Sequence, residues 1–336
     1  AVVVARGEVA FSLGTDTAGS GRVPAGFNNL VGLKPTPGRV STRGVLPACR
    51  SLDCVSVFAL TVDDAAAVLA VLEGADDEDE YSAFAPGPAA LPSTAGAAAA
   101  GTAGAGAPRI GVPRAAQVDA ALGYDHAWAA ALARARDDGA QIVEIDFEPL
   151  FAVARLLYEG PWVAERWLAV QPLIEREPAA IEPTVASIIG RATAFDAAQA
   201  FAGQYALQRG RRDAARLWRE VDLLMVPTAP RHPSFDEVRA DPVGANAVLG
   251  TYTNFVNFLG WSALALPAGF TPHGLPFGVT FIAPGRADAA LAAFGRRWQQ
   301  AATPTALLGA TGRKLPSPTV DDPAALPPLP WPATEA

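Results

Sequence analysis

The sequence predicts an α/β fold built around a central β-sheet. The most direct sign is a strand, a helix and a strand in succession. Arg109–Pro113 is a short apolar run, a helix capped by Asp125 extends to Gly139, and Gln141–Ile145 is again short and apolar. This alternation is typical of sheets with helices packed on their faces. Three further apolar runs read as buried strands: Leu223–Pro227, Leu264–Pro267 and Phe277–Ile282. With 336 residues, 50% of them hydrophobic, the chain can bury a large core.

The N-terminal part of the chain adds shorter elements. Phe11–Leu13 reads as the end of a strand or of a buried helix, and it leads into a glycine-rich turn. Phe27–Leu33 is a second short apolar run. A helix then begins at Thr61 or Asp63, either of which can accept hydrogen bonds from the first free N–H groups, and it ends at Gly74.

The central and C-terminal parts are mainly helical. The segment Pro161–Glu220 reads as a long helical region, and we expect breaks near Pro172, Pro178 and Pro183 because proline interrupts the helical hydrogen bonds. A final helix is predicted over Ala287–Ala301.

The predicted organisation is one folded domain with two irregular segments. The domain covers residues 1–315, and residues 316–336 form a proline-rich tail or linker. Residues 86–108 are almost entirely alanine and glycine, so we expect a flexible surface insertion there.

Composition excludes several classes of protein. The net charge of -8 argues against a nucleic-acid binder. The three histidines, His126, His232 and His273, lie far apart, which argues against a Ser-His-Asp site and against a multi-histidine metal site. Cys49 and Cys54 form neither a zinc motif nor a disulfide framework, so we expect reduced thiols in a cytoplasmic protein. No run approaches the ~20 apolar residues of a membrane span, and we expect no metal, organic cofactor or membrane partner.

The segment GTDTAGSGRVP, Gly14–Pro24, contains the candidate catalytic residues. It places Ser20 in a turn of small residues, directly after Thr17, Ala18 and Gly19. Small residues let backbone N–H groups approach a ligand closely. A serine in such a turn can attack a carbonyl carbon while neighbouring N–H groups stabilise the oxyanion.

The longer stretch from Gly14 to Ser41, GTDTAGSGRVPAGFNNLVGLKPTPGRVS, resembles the second half of the amidase signature. The resemblance implies the amidase-signature fold, a mixed β-sheet with helices on both faces, and it implies that Ser20 is the acylated serine. Backbone N–H groups of Thr17, Ala18, Gly19 and Ser20 would form the oxyanion hole. Asp16 and Arg22 would hold the turn by hydrogen bonds, and Lys34 would have a structural role.

The same resemblance implies residues that precede this segment. Amidase-signature enzymes activate the serine with a lysine acting through a second serine in a cis peptide, and both lie upstream of the nucleophile. The chain begins thirteen residues before Gly14. We therefore expect a fold that is incomplete at its N-terminus and a chain that is inactive as given.

Three further stretches are similar to allophanate hydrolases, one group within this family. They begin at Pro47 (PACRSLDCVSVFALTVDDA), Leu157 (LYEGPWVAERW) and Asp241 (DPVGANAVLGTYTNFVNFLGWSALALPAGF). The resemblance implies a small amide substrate, allophanate, which ends in a carboxylate. It assigns recognition of that carboxylate to Tyr158 and Arg166, and arginine suits a planar anion because it can bind it with two parallel hydrogen bonds.

Neighbouring residues are expected to be structural. Trp162 and Trp167 flank Arg166 and should pack rather than touch a ligand. Asn254 and Asn257 lie in an apolar helix, where either could face the pocket or bond a buried backbone group, and we favour the structural role for both.

The resemblance also implies partners, and two other functions stay open. It implies a functional link to urea carboxylase and a homodimer. One alternative is an amidase-signature hydrolase of another small amide. The other is a non-catalytic product, either a truncated gene or an interaction subunit.

Overall fold

Eight strands form one mixed sheet in the computed structural model, which describes residues 1–92 and 106–301. In chain order the strands are β1 (Phe11–Thr15), β2 (Val31–Lys34), β3 (Val55–Ala59), β4 (Arg109–Pro113), β5 (Gln141–Ile145), β6 (Leu223–Pro227), β7 (Ser262–Phe270) and β8 (Pro276–Ala283). Their order across the sheet is β1-β3-β2-β7-β8-β6-β4-β5.

The sheet combines parallel and antiparallel pairs. Strand β4 pairs in parallel with both β5 and β6, whereas the other neighbouring strands are antiparallel. The β4–β5 pair is joined by a helix, which confirms the predicted strand–helix–strand unit. At the other edge β1 pairs only with β3, with Phe11 opposite Ala59 and Thr15 opposite Val55.

Helices connect most of the strands in the described residues, whereas β2–β3 and β7–β8 are joined without one. They are α1 (Val2–Ala5), α2 (Val23–Phe27), α3 (Val62–Leu72), α4 (Tyr124–Asp137), α5 (Glu148–Glu159), α6 (Val163–Arg176), α7 (Pro183–Gly190), α8 (Ala197–Ala214), α9 (Phe235–Ala240), α10 (Pro242–Leu249), α11 (Asn254–Phe258) and α12 (Asp288–Ala301). No helix within residues 1–92 and 106–301 is both long and apolar enough to cross a membrane.

The two faces of the sheet carry separate hydrophobic clusters. Along β6, Leu223 and Met225 pack into one cluster, and Leu224 and Val226 pack into the other, because successive side chains of a strand point to opposite faces. The first cluster includes side chains from α3, α4 and α12, and the second includes side chains from α5 and α11. A mixed sheet with helices on both faces is therefore confirmed.

Several predicted boundaries need correction. Helix α4 is capped by Gly123 at a φ of 73°, and no side chain caps it, so Asp125 lies in the first turn instead. The structure contains β3 and α5, which the sequence reading had not identified. Helix α6 runs through Pro172 to Arg176, so the predicted break there is wrong. The residue four positions earlier is Leu168, which is exposed, and water can solvate the carbonyl that Pro172 leaves unbonded.

The predicted irregular segments lie partly outside the described residues. Of the insertion 86–108, the structure describes 86–92 and 106–108, and Leu91 packs into the first cluster with 2% of its surface exposed. The tail 316–336 lies entirely outside the described residues. Helix α12 agrees with the predicted C-terminal helix.

Candidate active site

Ser20 lies in the turn that joins β1 to α2. The side chain of Ser20 is exposed, whereas Gly19 and Gly21 on either side are buried. The turn is closed by main-chain hydrogen bonds from the N–H groups of Arg22 and Val23 to the carbonyl oxygen of Gly19, at 2.9 and 2.8 Å. The serine hydroxyl is thus accessible on a backbone that is fixed from both sides.

Asp16 and Arg22 form a buried ion pair beneath this turn. Arg22 Nε donates to Asp16 Oδ2 at 2.8 Å and Arg22 Nη2 donates to Asp16 Oδ1 at 2.9 Å, and both side chains are fully buried. The Gly21 N–H also donates to Asp16 Oδ2 at 3.0 Å. Burial alone would raise the pKa of Asp16, but Arg22, the charge of Lys34 and the Gly21 N–H together outweigh it, and the pKa lies below its usual value. The pair holds the turn by hydrogen bonds, as predicted.

The ion pair is connected to the start of α11. Arg22 Nη1 donates to the carbonyl oxygen of Thr253 at 3.1 Å, and Arg22 Nη2 donates to Asn257 Oδ1 at 3.3 Å. Asn257 Nδ2 in turn donates to the carbonyl oxygens of Asp16 and Leu52, at 2.6 and 2.9 Å. Asn257 therefore has the structural role expected for it.

A second support reaches the turn from residues 48–53. Thr17 Oγ1 donates to Asp53 Oδ1 at 2.5 Å. Asp53 also accepts hydrogen bonds from the N–H groups of Ala48 and Cys49, at 2.9 and 3.2 Å. Burial raises the pKa of Asp53, while the hydrogen bonds from Thr17, Cys49 and Ala48 act against this rise. Asp53 thereby connects the start of the turn to the loop that follows β2.

The backbone N–H groups ahead of Ser20 are available to a ligand. Within the described residues, the N–H groups of Thr17, Ala18, Gly19 and Ser20 donate to no protein acceptor. Gly19 has a φ of 152°, and a Cβ there would lie 2.4 Å from Thr253 Oγ1, so only glycine fits this position. Free N–H groups on a fixed turn are what an oxyanion hole requires.

Ser20 opens into a cavity of about 300 Å³. Tyr158, Asn254 and Gly19 line the same cavity. A second cavity of about 450 Å³ adjoins it, because the two share four lining residues: Tyr158, Asn246, Gly250 and Asn254. No lysine or histidine lines either cavity in the part of the chain that the structure describes.

The two residues assigned to carboxylate recognition lie next to each other. Tyr158 is in the last turn of α5, which continues to Glu159 and ends at Gly160. Arg166 lies in the first half of α6, and its guanidinium carbon is 5.9 Å from the centre of the Tyr158 ring. Both side chains are half-buried. The structure thus brings Ser20 and Tyr158 to one cavity and places Arg166 beside Tyr158.

Helix α6 is anchored beside Arg166 by Glu165. Glu165 Oε1 accepts from the Ser51 hydroxyl at 2.6 Å and Oε2 accepts from the Ser51 N–H at 2.8 Å. Cys49 Sγ lies 3.5 Å from Glu165 Oε2, and burial, followed by this carboxylate, raises the pKa of Cys49. Trp162 is buried and meets the Phe258 ring edge to face at 4.7 Å, which is the packing role expected for it.

Lys34 and Cys54 are buried away from the cavities. Lys34 Nζ donates to the carbonyl oxygen of Pro35 at 2.7 Å, and Cys54 Sγ donates to the same oxygen at 3.2 Å. Burial lowers the pKa of Lys34 and raises that of Cys54 to about 11. Lys34 has the structural position that the sequence indicated.

The sequence reading missed part of the cavity wall. Asn254 lines both cavities, and no hydrogen bond in the described residues supports the structural role expected for it. Arg155 and Arg191 line the larger cavity. The sequence does show that Asn254 lies among apolar residues. It does not show which side of so short a helix faces the cavity. No group of three or more histidine, cysteine or acidic side chains within residues 1–92 and 106–301 could hold a metal ion.

The chain belongs to the amidase family, whose sequence profile, described as Amidase, matches residues 1–292. Among its relatives, urea amidolyase of Lachancea kluyveri is 44% identical over 317 residues, which cover 90% of this chain and 16% of that protein. Urea amidolyase of Saccharomyces cerevisiae is 42% identical over 313 residues, with 89% of this chain and 16% of that protein covered.

Solved structures agree with this placement. Selenomethionine-substituted allophanate hydrolase of Kluyveromyces lactis superposes with a TM-score of 0.84 at 42% identity, over 94% of this chain and 50% of that one. Urea amidolyase of Kluyveromyces lactis superposes with a TM-score of 0.82 at 41% identity, over 95% of this chain and 19% of that one. The chain therefore spans half or less of the length of these relatives.

Proposed function

We propose that this chain is the nucleophile-bearing part of an allophanate hydrolase. One observation carries the proposal: Ser20, backed by free N–H groups, opens into the same cavity as Tyr158. The similarity to urea amidolyases and to an allophanate hydrolase structure supports the choice of substrate.

In the proposed reaction Ser20 Oγ attacks the terminal amide carbon of allophanate. The Ser20 proton passes to a base, and the N–H groups from Thr17 to Ser20 stabilise the oxyanion. The C–N bond to the terminal nitrogen then breaks, and that nitrogen leaves as ammonia with the transferred proton. Water attacks the acyl-serine and releases Ser20 together with a dicarboxylated amine, which decomposes to ammonia and carbon dioxide.

The described residues supply no base beside Ser20 that could accept its proton. The resemblance to the amidase signature implies a lysine acting through a second serine, both preceding the nucleophile. We propose that an amidase segment preceding Ala1 provides them. A serine without such a base retains only the contribution of the oxyanion hole and of substrate binding.

Tyr158 and Arg166 are proposed to recognise the distal carboxylate. The Tyr158 hydroxyl can donate one hydrogen bond, and the Arg166 guanidinium adds a positive charge beside it. Glu165 hydrogen-bonds Ser51 and so fixes the start of the helix that carries Arg166. An uncharged amide could still accept hydrogen bonds from this pair but would lack the attraction between opposite charges.

The wider assignments follow from the same proposal. A urea carboxylase would supply the carboxylated urea, since carboxylation of urea forms allophanate. The protein would act in the cytoplasm, as a homodimer, without a metal or organic cofactor.

The test uses an extended protein, defined as residues 1–336 preceded by an amidase segment that carries the lysine and the second serine. Ser20→Ala should lower ammonia release from allophanate by ~10³-fold or more, because the acyl-enzyme can no longer form. The control is Ser187→Ala, which removes an exposed hydroxyl bonded within its own helix and should leave turnover unchanged. Ammonia release retained in Ser20→Ala would refute Ser20 as the nucleophile.

A substrate panel separates allophanate from other small amides. The extended protein should prefer allophanate to biuret, since only allophanate presents a carboxylate to Arg166. Equal or higher kcat/KM for biuret would instead favour a hydrolase of another small amide.

A further inference from the structure

Among the described residues, Asn254 borders both cavities and has a buried oxygen without a hydrogen-bond partner. Only 7% of its surface is exposed. Its Oδ1 is buried and accepts no hydrogen bond within the described residues. It lines the cavity that contains Ser20 and the adjoining larger one. A buried acceptor without a donor costs ~1–3 kcal/mol, so a position like this is typical of a group that a ligand satisfies.

Gly250 makes room for this amide. A Cβ at Gly250 would lie 2.3 Å from Asn254 Nδ2 and 2.5 Å from Oδ1, closer than real contacts allow. The Gly250 φ is -79°, which any residue adopts, so the glycine is needed here for space and not for backbone conformation. The local structure thus accommodates the Asn254 amide against the cavity wall.

The chemistry of the proposed substrate defines what reaches Asn254. Allophanate has three parts: a terminal carboxamide, a central N–H and a carboxylate. Ser20 and Tyr158 line the same cavity as Asn254 and account for the two ends. The central N–H is a donor, and Asn254 Oδ1 is an acceptor without one.

We propose that Asn254 Oδ1 accepts the central N–H of the substrate and so selects N-carboxylated ureas over amides with a methylene at that position. This inference rests on the proposed function, because it assigns a specificity residue to that same site. A site that hydrogen-bonds a substrate N–H discriminates against an analogue that lacks it, since the buried acceptor is then left unpaired.

The test compares allophanate with malonamate, which has a CH₂ in place of the central N–H and is otherwise alike. In the extended protein, wild type should have the higher kcat/KM on allophanate. Asn254→Ala should lower kcat/KM on allophanate by ~10- to 100-fold and on malonamate by less than ~3-fold. The preference for allophanate should therefore disappear.

Gly250→Ala provides a second variant that keeps the asparagine. The added methyl displaces the Asn254 amide, so it should produce the same selective loss on allophanate. Gln171→Ala is the matched control, because it removes an exposed amide bonded only to Glu175 on the surface of α6, and both substrates should be unaffected. Melting temperatures of all variants establish that each is folded.

The outcomes separate the two proposals. A wild-type extended protein that does not release ammonia from allophanate overturns the proposed function, and this inference with it. Wild-type activity combined with equal losses on allophanate and malonamate in Asn254→Ala overturns this inference alone. A loss confined to allophanate in both Asn254→Ala and Gly250→Ala supports it.

Discussion

The turn around Ser20 and the helix pair α5–α6, which carries the proposed carboxylate recognition pair, are built differently. Beneath the turn, Asp16 and Arg22 are fully buried and share hydrogen bonds with Asn257. In α6, by contrast, Val163 is the one buried residue of the described helix, and Arg166 is half-buried. The proposed nucleophile is thus held by the interior of the fold, whereas Arg166 of the proposed carboxylate recognition pair lies on a lightly packed helix.

This difference predicts that changes beneath the turn affect mainly the stability of the fold, whereas changes at Arg166 affect mainly the choice of substrate. Changes beneath the turn remove buried partners from charged groups, and these are costly because an unpaired buried charge cannot reach water. Changes at Arg166 remove a group that few side chains depend on. With the role proposed for Arg166, substrate selection should be alterable at α6 with little effect on the fold, whereas the turn should tolerate few changes.

The largest effect is expected for Arg22→Met, which leaves Asp16 buried without its partner. The free energy of unfolding of the 336-residue chain should fall by about 3–5 kcal/mol. Chemical denaturation measures this directly. The control is Arg239→Met, which breaks an exposed pair with Asp236 and should cost less than ~1 kcal/mol. A loss in Arg22→Met as small as in the control would contradict the comparison.

The same pair predicts a pH dependence. The folded pKa of Asp16 is below its usual value, so its contribution is present above the unfolded pKa of about 3.9 and is lost as the pH falls through the lower folded value. Without Arg22, burial would raise that pKa, and protonation would then favour the folded state. The gap in stability between wild type and Arg22→Met should therefore begin to narrow above about pH 4, where the buried Asp16 of the variant protonates, and should narrow further below it, where wild-type Asp16 protonates.

The sequence predicted the turn well because its structure is local. Residues 14–24 alone carry the small residues, the serine and the Asp16–Arg22 pair at a spacing of six. The apolar runs of β4, β6 and β8 were likewise visible, since a strand buried on both faces is apolar along its length.

What the sequence could not predict depends on contacts far apart in the chain. The sequence left Phe11–Leu13 open between a strand and a buried helix, because β1 is exposed along alternate residues and is not buried on both faces. Asn254 reaches the Ser20 cavity from 234 positions further along the chain, and no local pattern states which face of a five-residue helix meets a cavity. The Thr17–Asp53 hydrogen bond joins two loops that are 36 positions apart, and no local pattern predicts it either. At Pro172 a local pattern predicted a feature that the structure lacks, because α6 continues through the proline.

An intermediate effect is expected for Asp53→Asn, which changes the support of the turn without touching the ion pair. The asparagine oxygen can still accept a hydrogen bond from Thr17. Its NH₂ group, however, would face the N–H of Ala48 or Cys49, which now donates to Asp53, and two donors cannot bond to each other. The free energy of unfolding should fall by about 1–3 kcal/mol. In the extended protein kcat should fall on the order of tenfold with KM nearly unchanged, because the oxyanion-hole segment is misplaced.

The matched control for Asp53→Asn is Asp213→Asn, at an exposed carboxylate that pairs with Arg216 three residues later. It should change neither stability nor kcat measurably. If Asp53→Asn lowers stability but leaves kcat unchanged, Asp53 supports the fold and not the position of the oxyanion hole.

The smallest effect on stability is expected for Arg166→Ala, where the effect on specificity should instead be clear. Because Arg166 is half-buried and lies at 5.9 Å from the Tyr158 ring, its loss should change the free energy of unfolding by less than ~0.5 kcal/mol. In the extended protein KM for allophanate should rise by ~10- to 100-fold, whereas turnover of uncharged biuret should not change, because only allophanate presents a carboxylate to the guanidinium. Arg176→Ala, at the end of the same helix and paired only with Glu177 on the surface, should alter neither substrate. If Arg166→Ala slowed both substrates equally, the residue would position α6 instead of binding the carboxylate. The Ser20 turn and α6 would then differ in their packing, but both would serve to position the site.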